Sequence, residues 1–256
     1  MRITIIYNMK VALLGSTGLV GKNVLKLLVK LDQVEHVYCP VRRVPEPAET
    51  GILEGSAKID FDCFDFEQII GMAPNAENAE LQKVREGFAG LDAVICCLGT
   101  TIKQAGSKPA QEKIDVRLPL SLAAVAKKVG VKHFLCVSAQ GANSHSPFFY
   151  NRLKGMLEEG LTMMNFESLT LVRPSLLLGK HRDKRFGEEL MQKLFGGHLA
   201  IIPARIRPVF AESVAAHLVA SLLKPPTEHV CASDGVKGKR IIYNRVIAQA
   251  KVEDLF

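Results

Sequence analysis

The chain has 256 residues, 48% apolar and 23% charged, which is ordinary globular usage and excludes a disordered chain, a collagen-like chain and a disulfide-scaffolded miniprotein. No apolar run reaches the roughly 18–20 residues that span a bilayer, so no membrane span is expected. The formal charge of +7 suits an anionic ligand, but it is spread along the chain, and no nucleic-acid partner is expected.

Val11 to Leu14 is a short continuous apolar run, as in a strand buried on both faces. Leu19 to Leu31 follows with Val20, Val24, Leu27, Leu28 and Leu31 at helical spacing. His36 to Val41 reads as a second strand, and Pro40, Pro45 and Pro47 break the chain into a loop. Lys58 to Phe61 is a short third strand, and Met72 to Phe88 is predicted to be a helix exposed on one side. Ala93 to Leu98 is a strand stopped by Gly99, and Leu118 to Val129 is an amphipathic helix ended by Gly130. Lys132 to Ser138 is a strand, Phe149 to Gly160 a helix, and Leu169 to Arg173 a strand stopped by Pro174. Beyond it the pattern loosens. Phe186 to Phe195 and Ala211 to Leu223 read as helices, Lys224-Pro225-Pro226 as a loop, and the basic segment from Ser233 as a helix or a frayed tail.

This alternation argues for one α/β domain over residues 1–256: a Rossmann-type doubly wound parallel sheet, with residues from about 174 forming a small C-terminal substrate lobe. Ligands of such sheets lie beyond the carboxyl ends of the strands.

The first chemical signal is Gly15-Ser16-Thr17-Gly18-Leu19-Val20-Gly21, between a strand and a helix. Gly15 allows a tight turn, Gly18 lets backbone approach a pyrophosphate, and Gly21 lets the helix pack on the sheet. The helix start then offers free N–H groups and a positive dipole end. NAD binders place Asp or Glu at the end of the second strand, whereas this chain has Arg42 and Arg43 there. Guanidinium groups pair with a 2′-phosphate that an acid would repel, so NADPH/NADP is expected over NAD.

Tyr150 and Lys154 form the third signal. A spacing of four puts them on one helical face, where an ammonium lowers the phenol's pKa toward a useful range for proton transfer. Ser138 ends the preceding strand and can hydrogen-bond the same substrate oxygen.

Glycine turn, strand-end serine and Tyr/Lys helix, in this order, resemble the short-chain dehydrogenase/reductase superfamily. Cys96 to Thr101, Lys132-His133-Phe134, Ser138 to Ala142, Tyr150 with Lys154-Gly155, and Arg173-Pro174 resemble its atypical branch that contains the Tat-interacting protein, a metastasis-suppressor-like oxidoreductase. The resemblance runs from about Lys10 to Pro225. It implies catalytic roles for Ser138, Tyr150 and Lys154. It further implies that Asp60 and Phe61 border the adenine, that Leu98, Gly99 and Thr100 line the dinucleotide, and that Arg173, Pro174, Ser175 and Leu176 flank the nicotinamide. Two positions depart from the superfamily pattern: Ala139 replaces a second serine, and Asp115 stands where an asparagine helps relay protons.

Two functions follow. One is an NADPH-dependent reductase of a carbonyl or quinone-like small molecule. The other is an NADPH-binding, redox-sensing regulator with little turnover and a protein partner, toward which Ala139 and Asp115 lean. A sugar-nucleotide epimerase fits Arg42-Arg43 and the short C-terminal remainder less well. The helix at 211–223 offers either a homodimer face or a face packed on the sheet. The six cysteines show no Cys-x-x-Cys pair and no adjacent His cluster, so no metal site is expected. Cys39, Cys96, Cys97 and Cys136 read as small buried hydrophobes in a reducing cytosol. The start has no small-residue cleavage site, so a cytoplasmic protein is expected. Residues 1–8 read as an upstream start or an extra edge strand.

Overall fold

The structure, a computed structural model, describes residues 8–50, 58–178, 203–226, 236–250 and 252–255. Residues 1–7, the basic run Lys180 to Arg185, the expected helix at 186–195 and Cys231 lie outside the described residues.

Strands β1 (Met9–Leu14), β2 (Val34–Val41), β3 (Ile59–Cys63), β4 (Ala93–Cys96), β5 (His133–Val137) and β6 (Ser168–Arg173) pair in parallel. Short strands β7 (Leu177–Leu178) and β8 (Val209–Phe210) pair with each other, and β9 (Lys239–Tyr243) joins the main sheet beside β6. The sheet order is β3-β2-β1-β4-β5-β6-β9. The order reverses between β1 and β4, and that switch point opens a crevice at the carboxyl ends of both strands.

Alternation along β1 builds two cores. Val11 and Leu13 face a layer containing α1 (Leu19–Leu28) and α8 (Ala211–Leu223), with Val24, Leu28, Val214 and Leu218 fully buried. Ala12 and Leu14 face the layer of α3 (Ala79–Phe88), α6 (Leu118–Lys128) and α7 (Phe149–Met163), where Leu81, Phe88, Leu122 and Leu157 are fully buried. Each such side chain contributes about 1.5–3 kcal/mol of hydrophobic stabilisation. The face of α8 is therefore spent on α1 and the sheet rather than presented as a dimer face. Cys39, Cys96 and Cys136 are buried as expected, whereas Cys97 is only half-buried.

The second strand ends at Val41 as read, and Pro40 lies inside it rather than in the loop beyond. Val37 donates its N–H toward β3, to the Lys58 carbonyl, so Pro40 faces the β1 side, where pairing has stopped at Tyr38 opposite Ala12. The missing N–H of proline costs no ladder bond there. Only the second half of 72–88 is helical. Gly71, at φ +79°, and Pro74 hold the chain in turns until Asn78 caps α3 through the Leu81 N–H. Two short helices, α4 (Ile102–Ala105) and α5 (Lys108–Glu112), precede a π-helical turn at Lys113–Arg117 that runs into α6. Finally, the segment read as helix or tail supplies β9 and then α9 (Asn244–Gln249). Ile241 and Ile242 pair with Leu171 and Val172, and burial of that edge outweighs the basic flank.

His217 on α8 is 4% exposed; its Nδ1 faces the Ser213 carbonyl at 2.8 Å, and its Nε2 is buried without a partner. Burial lowers its pKa from 6.5 against the opposing Ser213 bond, and burial lowers that of His133 likewise. Unfolded, both bind protons more readily than they do in the fold, so their contribution is fully present above about pH 6.5 and is lost as pH falls through the folded values. Urea midpoints measured from pH 7.5 to 5 should fall with pH, and His217→Leu should flatten the slope; an unchanged slope contradicts this assignment.

Candidate functional site

The first helix meets its strand through the glycine turn. Gly15 sits at φ +78°, and a Cβ there would lie 2.9 Å from the Cys97 carbonyl, so only glycine lets the β1 end approach the β4 end. A Cβ on Gly21 would collide with the Gly15 carbonyl, so α1 docks on the turn through bare backbone. Gly18, extended at the N-cap, donates its N–H to the Gly15 oxygen at 3.0 Å. No side chain caps α1, and no acid occupies its first turn, leaving its N–H groups and dipole available to an anion.

A cleft of about 1010 Å³ runs from this turn along the strand ends. Gly15, Ser16, Thr17 and Gly18 line it, as do Leu98, Gly99 and Thr100 after β4 and Arg42 and Arg43 after β2. Leu19, Val20 and Gly21 lie behind it as the first turn of α1, with Val20 and Gly21 buried. Asp60 and Phe61 are not among the lining residues. They sit within β3, in register with Tyr38 and Cys39, because that strand continues to Cys63. From this side the cleft is reached by Cys63 at the end of β3 and by Phe64, Asp65, Phe66, Glu67 and Ile70 after it. Asp65 caps the following 3-10 turn by accepting the Glu67 N–H.

Ser138 follows β5 and donates its N–H to the Val172 carbonyl at 2.8 Å. The residue is 1% exposed, and its Oγ is buried without a hydrogen-bond partner. Tyr150 opens α7 and is 45% exposed. One turn later Lys154 is 2% exposed, with Nζ 5.9 Å from the Tyr150 ring centre. The four-residue spacing thus brings the two onto one face. Lys154 Nζ also lies 3.8 Å from Asp115 Oδ2, and a Cβ on Gly99 would be 3.7 Å from it, so the ammonium reaches the loop after β4. None of these three lines the cleft itself.

Asp115, fully buried in the π-helical turn, accepts the Thr100 N–H on Oδ1 at 2.7 Å. Burial pushes the Asp115 carboxyl up, while Lys154 and the Thr100 N–H hold it back. Burial would lower Lys154, but Tyr150 and Asp115 outweigh it and raise its pKa, so the ammonium stays charged at neutral pH.

Arg173, at the end of β6, forms a two-pronged ion pair with Glu158 of α7 and stacks on Tyr243 at 5.6 Å. Pro174 accepts the Gln140 N–H at 2.7 Å, and Leu176 is 48% exposed. Ser175 donates its N–H to Asn244 Oδ1 at 2.8 Å. Asn244, fully buried, also donates Nδ2 to the Ala204 and Arg207 carbonyls, tying the chain after β6 to that before β8. Sequence reasoning missed Asn244, since nothing in the local pattern marks it.

An open helix start, glycines that cannot carry side chains, a long cleft and an orphaned Ser138 hydroxyl fit a dinucleotide with a polar group beyond its reactive end. Among the described residues no group of His, Cys, Asp and Glu could hold a metal, and no helix is long and apolar enough to cross a membrane.

The fold is of the Rossmann-type α/β class, and the chain is an atypical, Tat-interacting-protein-like short-chain dehydrogenase/reductase by its family and relatives. The family model described as HIM1 matches residues 63–198, and the chain belongs to that family. Among its relatives is the protein FMP52, mitochondrial, of Meyerozyma guilliermondii, 32% identical over 219 residues, covering 85% of this chain and 87% of the relative. Protein HTATIP2 of Rattus norvegicus is 31% identical over 189 residues, covering 74% and 71%. A Bacillus cereus UDP-glucuronic acid 4-epimerase, solved with UDP-glucuronic acid and NAD, shares the fold at TM-score 0.63 and 14% identity, over 92% of this chain and 77% of its own. The Lactococcus lactis oxidoreductase ylbE does so at TM-score 0.57 and 18% identity, over 96% and 97%.

These relatives correct the cytoplasmic expectation. Those from Meyerozyma guilliermondii, Emericella nidulans and Lodderomyces elongisporus, at 32%, 30% and 34% identity, are all named mitochondrial.

Gly21→Ala should cost about 1–3 kcal/mol through overpacking against the Gly15 carbonyl. The check is urea denaturation, and a loss below about 0.5 kcal/mol would contradict the close approach.

Proposed function

We propose that this protein is an NADPH-dependent oxidoreductase that reduces a carbonyl or quinone-like small molecule, and that it resides in mitochondria. The observation that carries the chemical reading is the buried, charged Lys154 set one helical turn from an exposed Tyr150. The bound dinucleotide supplies a hydride to the substrate carbon. Gly15 to Gly18 and the start of α1 would hold its diphosphate, Arg42 and Arg43 would meet its adenosine end, and Leu98 to Thr100 would border it. Ser138 donates its hydroxyl proton in a hydrogen bond to the substrate oxygen and orients it. Tyr150 Oη transfers a proton to that oxygen as the C=O bond is reduced, and Lys154 stabilises the phenolate left behind. Proton and hydride together convert the carbonyl to an alcohol. Arg173 acts through Glu158 to fix α7, and Ser175 and Asn244 hold the chain that walls the substrate side.

A second reading, an NADPH-binding redox-sensing regulator with a protein partner, draws support from Asp115. Its carboxylate lies 3.8 Å from the Lys154 ammonium and so competes with Tyr150 for that charge.

NADPH oxidation by the purified chain with aldehydes, ketones and quinones separates the two. Turnover that drops at least about 100-fold in Tyr150→Phe supports the reductase. NADPH binding without turnover on any compound supports the regulator. For location, the tagged full chain should co-fractionate with mitochondrial markers in cells; a wholly cytosolic pool overturns that part.

A further inference from the structure

The arginine pair that favours NADPH is not equally available to it. Arg43 Nη1 and Nη2 donate to Glu49 Oε2 and Oε1 at 3.0 and 2.7 Å, a two-pronged guanidinium–carboxylate pair. Glu49 is held in turn by the short helix α2 (Pro47–Thr50), where the Glu46 N–H donates to Oε2 at 3.1 Å. Glu49 stands three residues after Glu46, with Pro47 between them at the first helical position, which is half of a capping box. The same side chain therefore closes the helix start and engages Arg43. Glu49, Arg42, Arg43 and Lys22 all line the cleft.

Resting on the dinucleotide reading above, we infer that Glu49 is a specificity-determining residue that competes with the 2′-phosphate of NADPH for Arg43 and so narrows the preference for NADPH over NADH. A phosphate entering this corner has to displace a carboxylate from Arg43; Arg42 and Lys22 are the other cations on this side of the cleft, and Lys22 also acts on the Glu49 charge. A plain ribose hydroxyl brings no charge and meets no such opposition. Glu49 also puts on the cleft wall, from α2, an acid that the end of β2 lacks. Arg43 and the Glu46 N–H hold the Glu49 carboxyl below its ordinary range, so it is ionised at neutral pH and competes as an anion. The Arg43 and Glu49 side chains are 67% and 36% exposed, and solvent screening keeps the effect modest.

The test is calorimetric titration of the full chain with NADPH and with NADH, in wild type, Glu49→Gln and Arg42→Ala, at about 0.1 M salt. Gln keeps an oxygen for the Glu46 N–H but removes the charge. The expected result is a rise of about two- to fivefold in the NADPH-to-NADH affinity ratio in Glu49→Gln, through tighter NADPH, and a fall in the ratio in Arg42→Ala. Glu49→Ala, which also loses the cap bond, should shift the ratio in the same direction as Gln. If wild type binds dinucleotide and Glu49→Gln leaves the ratio unchanged or lowers it, the inference is overturned while the dinucleotide reading stands. If folded wild type binds neither nucleotide, both are overturned.

Discussion

An ammonium with 3% of its side chain exposed has to be compensated where it sits, and the site is built around that requirement. Taking Lys154 out of water costs several kcal/mol unless opposite charge and hydrogen-bond acceptors replace the lost solvent. Asp115 provides the charge, but a regular helix would not have to present it there. The π-helical turn at Lys113–Arg117 inserts an extra residue at this point, and such turns recur at functional sites. The carboxylate's other oxygen takes the Thr100 N–H, and Gln111 reaches the Thr100 carbonyl at 3.1 Å. One buried charge thus couples the loop after β4, the start of α6 and the first turns of α7. The loop that borders the cleft and the helix that carries the phenol are fixed against each other through it.

Much of this was legible in the residues. Continuous apolar runs such as Val11–Leu14 announced strands buried on both faces, and the three glycines announced a strand–turn–helix that the close contacts of Gly15 and Gly21 explain. The Tyr150/Lys154 spacing needs only helical geometry. What stayed hidden depends on partners distant in the chain. Pro40 fits a strand only because β1 stops pairing beside it. Lys239–Tyr243 is a strand only because β6 offers an open edge. Asn244 matters through carbonyls at 204 and 207 that no local pattern announces. The rim beside β3 shows a subtler limit: the strand runs two residues past the expected Phe61, to Cys63, so the residues that line the cleft there lie further along the chain than Asp60 and Phe61.

The fold is shared with proteins of quite different stated chemistry, including an epimerase at 14% identity, so the sheet and its crevice leave the reaction open. Distinctions arise from a few charges set on common geometry: a carboxylate beside Lys154, another beside Arg43, and an ion pair that occupies Arg173. In each case a cation placed near the strand ends already has an internal anion. The chain spends its basic residues at this rim partly on itself, and ligand charge has to compete with that arrangement.

The place of β9 has a consequence for biogenesis. Its partner β6 is translated long before it, and until Lys239–Tyr243 arrives the outer rim of β6 presents unpaired amides and carbonyls beside apolar side chains. Such a rim invites pairing with other nascent chains. A polypeptide whose edge strand arrives this late benefits from a chaperone holding it during synthesis, and loss of β9 would leave a sticky, aggregation-prone intermediate rather than a trimmed but functional domain.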